Sequence, residues 1–294
     1  MSLAELLHLS GHLTINGKTY AANWEDVIEG VRLGEPGAHG TVYLCEFENN
    51  LMAVKSIQCN GANELRIAEN DLRTIRLSHP NIVKYYGFFI VENCLKICME
   101  NMAGCFHQFL QTTGLPIPEN VVGVVSVGVV KALDFLKTNN IMHRDIKPSN
   151  ILMSMSGIAK LCDFGISREL VQSRAHTRDA GCLLYMAPER FTGSGSYGIK
   201  SDVWSFGITL VELATGQYPY PGKEYDIMVA ITEKDAPRLN PSNFSQQFCD
   251  LVERCLQKDP DRRPTFRDLL NDPFIQQYSG NTDAEEWVAD VLSK

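Results

Sequence analysis

The feature that most constrains this chain of 294 residues is a run of eight, HRDIKPSN, at positions 143–150. Asp145 can orient a hydroxyl group and accept its proton, Lys147 can neutralise a phosphate in transfer, and Asn150 can ligate Mg²⁺. An ordinary polar loop capped by Asp and Asn would use the same residue types. A chance occurrence of all eight residues in this order is nevertheless very improbable, so the run predicts phosphoryl-transfer chemistry.

A glycine-rich motif, GEPGAHGTV, lies upstream of this loop at positions 34–42. Glycine lets a backbone approach phosphate oxygens closely and donate N–H groups to them. A Walker loop is excluded because no Gly-Lys-Ser/Thr follows, and a dinucleotide-binding motif is excluded because a strand follows Gly40. By itself such a motif is most often only a turn. Lys55, thirteen residues after Val42 at the end of an apolar strand, can nevertheless reach phosphates beneath it.

A second acidic motif follows the HRDIKPSN loop. Asp163 comes directly after the apolar pair Leu161-Cys162 and precedes Phe-Gly. Mg²⁺ prefers one or two carboxylates together with substrate phosphates, and Asp163 with Asn150 would supply this set of oxygen ligands. The run MAPE at positions 186–189 ends the segment that begins at Asp163.

Hydrophobic periodicity predicts a small β-rich half followed by a larger helical half, which is an α+β arrangement. An Asn-Gly pair at positions 16–17 favours a hairpin near the start of the chain. The predicted strands are 31–33, 41–45, 52–57, 82–90 and 95–99. The predicted helices are 64–77, 118–136, 202–215, 245–256 and 265–270.

Composition excludes several classes of function. The net charge of −8 gives no basic footprint for nucleic acid. The longest uncharged Val-rich run, 121–130, is about half of what a membrane span needs, and no signal peptide opens the chain. The nine cysteines show no zinc-ligand spacing and indicate reduced thiols. We therefore expect a protein of the cytoplasm or nucleus with neither a nucleic-acid nor a membrane partner.

In order and spacing these motifs resemble the signature of the eukaryotic protein kinases. The resemblance covers residues 24–275 and implies a bilobal fold with ATP in the cleft. The N-lobe would be about 24–100 and the C-lobe about 101–275. Residues 1–23 would form an N-terminal extension and residues 276–294 a C-terminal tail.

The resemblance also implies which residues bind ATP and Mg²⁺. Met99 would be the gatekeeper at the back of the adenine pocket. The catalytic residues would be Asp145, Lys147 and Lys55, and the metal ligands would be Asn150 and Asp163. The full nucleotide set would be Leu33, Gly34, Gly37, Gly40, Val42, Ala53, Lys55, Met99, Glu100, Met102, Asn150 and Asp163.

Other residues would have structural roles by the same resemblance. Glu189 would form a buried ion pair with Arg263, and Asp202 would lie at the start of the central C-lobe helix. The helix acid that pairs with Lys55 would be Asp71, with Glu69 as the alternative.

The segment 161–182 resembles the activation segment of the MAP kinase kinases, a dual-specificity family. Ser173 and Thr177 would be its regulatory phosphorylation sites, with Arg144 as the anchor for a phosphate. The segments 13–17, 114–119 and 211–217 are closest to the c-Jun N-terminal kinase kinases. The implied partners are a MAP kinase substrate, phosphorylated on Thr and Tyr, and an upstream MAP kinase kinase kinase. The tail at 283–288 resembles a docking region for that upstream kinase, although an ordinary amphipathic helix explains it equally well.

The sequence departs from the family pattern in three places. Glu35 occupies the first glycine position, unless one residue is inserted and Gly34 serves; a glutamate near phosphates would weaken ATP binding. The pair Leu183-Leu184 also differs from several family members. No Lys or Arg occurs before Lys18, so the usual basic docking motif is missing from this sequence. A kinase-fold scaffold without turnover and a Ser/Thr kinase with another substrate remain the alternatives.

Overall fold

The computed structural model describes residues 8–37, 40–59, 77–163, 183–192 and 198–293. The chain divides into two compact units, Met1–Met102 and Ala103–Lys294. The first contains a β-sheet and the second is mainly helical, as the predicted α+β class requires. Among the residues described, no helix has the length and apolar character needed to cross a bilayer.

The first unit contains a five-stranded antiparallel sheet in the order β3-β4-β5-β7-β6. Its strands confirm the predicted ones, except that β6 begins three residues later than expected. The reason is a turn in which the Ile82 amide donates to the His79 carbonyl. The predicted helix at 64–77 lies almost entirely outside the described residues. The strands are β3 (Ile28–Gly37), β4 (Gly40–Phe47), β5 (Asn50–Gln58), β6 (Tyr85–Val91) and β7 (Cys94–Glu100).

A hairpin precedes this sheet, as the Asn-Gly pair predicts. Its strands are β1 (His12–Ile15) and β2 (Lys18–Ala21), and Asn16 and Gly17 both have positive φ, as a tight hairpin turn requires. Leu13 and Ile15 are buried in a core that includes residues of β4, β5, β6 and β7. The Gly11 amide also donates to the Phe88 carbonyl at 2.9 Å. Residues predicted as an extension thus contribute to the core of the first unit.

Replacing Ile15 by Val tests this contribution. Ile15 is 2% exposed, so loss of one methyl group from the core should lower the free energy of unfolding by about 1 kcal/mol. The same change at Ile28, which is 68% exposed on β3, serves as the control and should have almost no effect. Urea unfolding of both variants measures the difference. Equal stabilities would show that the hairpin does not contribute to the core.

The second unit is built around two long helices, α2 (Glu119–Thr138) and α4 (Ile199–Thr215). Both are buried on several sides because their sequences are apolar around much of the circumference. The small antiparallel sheet of this unit has the order β10-β9-β8. Its strands are β8 (Gly104–Cys105), β9 (Ile151–Met153) and β10 (Ala159–Leu161). The helices are α1 (Phe106–Thr113), α2 (Glu119–Thr138), α3 (Glu189–Thr192), α4 (Ile199–Thr215), α5 (Glu224–Glu233), α6 (Gln246–Cys255), α7 (Phe266–Leu270), α8 (Pro273–Gln277) and α9 (Asp283–Leu292).

Four of these helices confirm predicted ones. Pro118 is the N-cap of α2, Ser245 caps α6 and Thr265 caps α7, all close to the predicted starts. Helix α4 begins three residues earlier than predicted, after Gly198. The tail helix α9 packs on its own unit, where the Trp287 ring stacks on Phe106 at 6.0 Å.

Candidate active site

The HRDIKPSN loop brings its three predicted functional residues together. The Asn150 side-chain amide donates to Asp145 Oδ2 at 2.7 Å and to the Asp145 carbonyl at 2.8 Å. Lys147 Nζ lies 2.8 Å from the same carboxylate oxygen. Both side-chain contacts are to Oδ2, so Oδ1 is the oxygen that can face a substrate hydroxyl. The cation and the amide hold the carboxylate in one orientation before any substrate binds.

Asp202 on α4 fixes the backbone of this loop through hydrogen bonds. Its two carboxylate oxygens accept the amide N–H of His143 at 3.0 Å and that of Arg144 at 2.8 Å. Arg144 has a φ of 70°, a conformation that costs a non-glycine residue about 1–3 kcal/mol and persists only where other contacts enforce it. The sequence indicated Asp202 only as a residue near the helix start. An acidic residue within an otherwise apolar helix was the sequence signal that Asp202 fixes the loop.

His143 connects the loop to the segment that carries Asp163. Its ring Nε2 lies 3.1 Å from the Cys162 carbonyl. Because a carbonyl only accepts, Nε2 carries the proton. Burial lowers the pKa of His143 despite the nearby carboxylates of Asp202 and Asp145. With Nε2 bonded to this carbonyl and Nδ1 accepting the Asp145 amide at 3.3 Å, the ring acts as a structural connector.

The two predicted metal ligands belong to linked segments. The Cys162 amide donates to the Asn150 carbonyl at 3.1 Å, which ties Asn150 to the residue before Asp163. Because the Asn150 hydrogen bonds described above use Nδ2, its Oδ1 is left as the atom for a cation. Asp163 has a φ of 55°. One amide oxygen and one carboxylate are the kind of donors that Mg²⁺ takes together with phosphates, so the residues fit the ion.

In the first unit, strand register places several predicted nucleotide residues on one face of the sheet. Leu33 pairs with Val42, Val42 with Lys55, and Ala53 with Met99. Paired residues share a face, as do residues two apart on a strand. Lys55 is 5% exposed on this face. The opposite face carries Met52, Val54 and Cys98 and belongs to the core that the N-terminal hairpin covers.

The glycine-rich motif includes the end of β3 and the start of β4, with Gly37 paired to Gly40. Gly40 has a φ of 117°, and a Cβ there would lie 2.3 Å from the Ser56 carbonyl oxygen. Gly34 has a φ of 75°, which favours glycine. After β7, the Glu100 carboxylate accepts the Lys84 amide at 2.7 Å, and Met102 ends the unit.

Four predicted residues lie outside the described part of the chain. They are the two candidates for the Lys55 partner and the two regulatory phosphorylation sites: Asp71, Glu69, Ser173 and Thr177.

The predicted pair of Glu189 and Arg263 is bidentate. Arg263 donates to both carboxylate oxygens, at 2.8 Å and 2.7 Å, and its side chain is 0% exposed. The same guanidinium donates to the carbonyls of Gln257, Lys200 and Lys258. Burial alone would raise the pKa of Glu189, but the hydrogen bonds and charge of Arg263 lower it overall.

Sequence reasoning missed a second acid on α4. Glu212 is buried, and the Tyr185 hydroxyl donates to its carboxylate at 2.5 Å. Burial raises the pKa of Glu212, and the hydrogen bond from Tyr185 opposes this. Tyr185 lines a small cavity together with Arg144 and Asp145, so this pair lies beside the catalytic loop.

Comparison with known proteins agrees with this geometry. The protein kinase domain matches residues 28–275. A dual-specificity mitogen-activated protein kinase kinase of Caenorhabditis elegans, mek-1, is 48% identical over 292 residues, which cover 97% of this chain and 84% of the relative. The human dual-specificity mitogen-activated protein kinase kinase 7 is 40% identical over 312 residues, covering 99% of this chain and 73% of the relative. The Drosophila melanogaster relative hemipterous is 40% identical, and 26% of its length is covered.

Proposed function

The chain belongs to the protein kinases and, among them, to the dual-specificity mitogen-activated protein kinase kinases; on this premise we propose that it phosphorylates Thr and Tyr in the activation loop of a stress-type MAP kinase. The substrate would be of the c-Jun N-terminal kinase or p38 type. Protein kinases use ATP and Mg²⁺ in general, and we extend both cofactors to this chain.

This proposal rests on the orientation of the Asp145 carboxylate, which Asn150 and Lys147 fix through their contacts with Oδ2. Catalysis of phosphoryl transfer is mostly positioning and charge stabilisation, so an oriented oxygen matters more than an unusual pKa. Asp145 would orient the substrate hydroxyl and accept its proton, and Lys147 would stabilise negative charge on the phosphoryl oxygens. Asn150 and Asp163 would hold Mg²⁺, which neutralises phosphate charge when bound, and Lys55 would bind phosphate oxygens.

We further propose that phosphorylation of Ser173 and Thr177 by an upstream kinase activates the enzyme. A phosphate of about −2 charge orders a segment by pairing with arginine. Arg144 is suited to this role because Asp202 fixes its backbone next to Asp145. The outward face of α9 carries exposed Asp283, Glu285, Glu286 and Asp290 and is the part of the tail that an upstream kinase would contact.

Mapping of phosphosites tests both proposals together. A catalytically inactive MAP kinase is incubated with ATP, Mg²⁺ and this protein, with and without prior treatment by an upstream kinase. We expect phosphate on Thr and Tyr of the substrate loop. Ser173→Ala with Thr177→Ala should prevent activation, and Asp163→Asn should abolish transfer while the fold is retained.

Each alternative gives a different result. Phosphate only on Ser or Thr of other proteins would indicate a general Ser/Thr kinase. Stable binding of the MAP kinase without transfer, after treatment by the upstream kinase, would indicate a scaffold. Full activation of the double alanine variant would exclude the phosphorylation switch but leave the substrate proposal standing.

A further inference from the structure

In the short turn at residues 183–186, beside the catalytic loop, three successive carbonyl groups accept hydrogen bonds. The Leu183 carbonyl accepts the Met186 amide at 3.2 Å. The Leu184 carbonyl accepts the hydroxyl of Tyr218 at 2.5 Å, and the Tyr185 carbonyl accepts that of Ser205 at 2.7 Å. Two of these three donors are side chains, from α4 and from the loop that follows it. Two of the three hydrogen bonds that hold the turn therefore come from residues far from it in the sequence.

This turn lies beside Asp145, the residue that would orient the acceptor hydroxyl of a protein substrate. Tyr185 and Met186 line the same cavity as Arg144 and Asp145. An extended chain advances only about 3.3–3.6 Å per residue, so the residues on either side of an acceptor hydroxyl at Asp145 stay close to this turn. Leu183 and Leu184 are half-buried and offer part of their apolar side chains to such a neighbour.

Tyr218 contacts the turn in two ways: its hydroxyl donates a hydrogen bond to Leu184, and its ring packs against neighbouring rings. The ring contacts Tyr185 edge-on at 5.7 Å and Tyr220 in a tilted arrangement at 6.1 Å. Phenylalanine would keep both ring contacts and would remove the donor to Leu184. Burial raises the pKa of Tyr218, so its hydroxyl stays protonated and able to donate.

Tyr220 provides a natural comparison in the same stack of rings. Its hydroxyl is buried and has no hydrogen-bond partner within the described ranges. The hydroxyl of Tyr220 therefore does not fasten any part of the described structure, although the residue has the same chemistry and a similar setting. A difference between the two hydroxyl groups isolates the bond to Leu184.

We propose that the Tyr218 hydroxyl is a positioning group for the protein substrate, because it fixes the Leu183-Leu184 turn so that an apolar substrate residue next to the acceptor hydroxyl is favoured. This inference rests on the proposed function, since it concerns the protein that is phosphorylated. Tyr218 acts through Leu184 and does not touch the reacting atoms. Loss of its hydroxyl should therefore affect the binding of a protein substrate and leave the binding of ATP unchanged.

The test compares Tyr218→Phe with Tyr220→Phe, both activated in the same way as the wild type. We expect Tyr218→Phe to raise KM for the inactive MAP kinase about three- to tenfold, the effect of one lost hydrogen bond. KM for ATP should stay at its wild-type value, the melting temperature should fall by no more than about 2 °C, and Tyr220→Phe should match the wild type throughout. A MAP kinase with Asp placed next to the acceptor should be a poorer substrate for the wild type. That penalty should shrink in Tyr218→Phe.

Three outcomes would overturn the inference. They are equal KM values for the two variants, a parallel rise of KM for ATP, and a Tyr218→Phe protein that melts several degrees lower and so has lost only stability. A wild type that phosphorylates myelin basic protein but no MAP kinase would contradict the proposed function instead. In that case, KM for myelin basic protein is compared between the two variants, so the inference about Tyr218 is tested independently of the proposed function.

Discussion

The Asp145→Asn variant should lose about 10²- to 10⁴-fold in kcat while it folds normally and still binds ATP. Asparagine has almost the same shape as aspartate and can remain beside Asn150 and Lys147. It cannot accept the proton of the substrate hydroxyl, and it leaves the Lys147 ammonium without the carboxylate 2.8 Å away. Steady-state kinetics at saturating ATP and MAP kinase measure kcat.

Asp261→Asn is the matched control for this experiment, because Asp261 is exposed in the turn after α6 and the substitution is chemically identical. It should leave kcat unchanged. Thermal unfolding and calorimetric titration with ATP separate a catalytic defect from a folding or binding defect. An Asp145→Asn protein with wild-type kcat would show that another group orients the hydroxyl, and the central role of this carboxylate would be wrong.

The catalytic loop could be predicted from sequence because its chemistry is local. Asp145, Lys147 and Asn150 lie within six consecutive residues, so their side chains meet within one short loop. The hairpin was predictable for the same reason, since Asn16 and Gly17 tolerate the positive φ that its turn needs. Strand register then placed Lys55 and Met99 on one face.

The supports of the site could not be predicted, because they come from far along the chain. Asp202 is 58 residues from Arg144, and Tyr218 is 34 residues from Leu184. No spacing rule connects such positions before the fold is known. Helices α1 and α5 were not predicted; they have only eight and ten residues, and isolated helices of this length are marginal in water. The burial of Leu13 and Ile15 also depends on strands that are distant in the sequence, so it could not be predicted.

Glu189→Gln should lower the free energy of unfolding by about 3–5 kcal/mol, because it leaves the fully buried Arg263 charge without its counterion. Glutamine keeps the size of the side chain, so the loss reports on charge and hydrogen bonding more than on packing. Glu253→Gln is the control, since Glu253 pairs with Arg238 at 3.2 Å with side chains 50% and 75% exposed. That pair should contribute less than about 1 kcal/mol. Urea unfolding at neutral pH measures both changes.

The same variant should reveal how the ion pair depends on pH. The folded protein holds the pKa of Glu189 below its ordinary value, whereas the unfolded chain titrates near 4.3. A carboxylate with a depressed pKa contributes its stability fully above the unfolded pKa, and this contribution is lost as the pH falls through the folded pKa. The stability difference between wild type and Glu189→Gln should therefore stay constant from pH 8 to about pH 5 and shrink below about pH 4. A difference independent of pH down to complete acid unfolding would mean that Arg263 does not stabilise the ionised carboxylate.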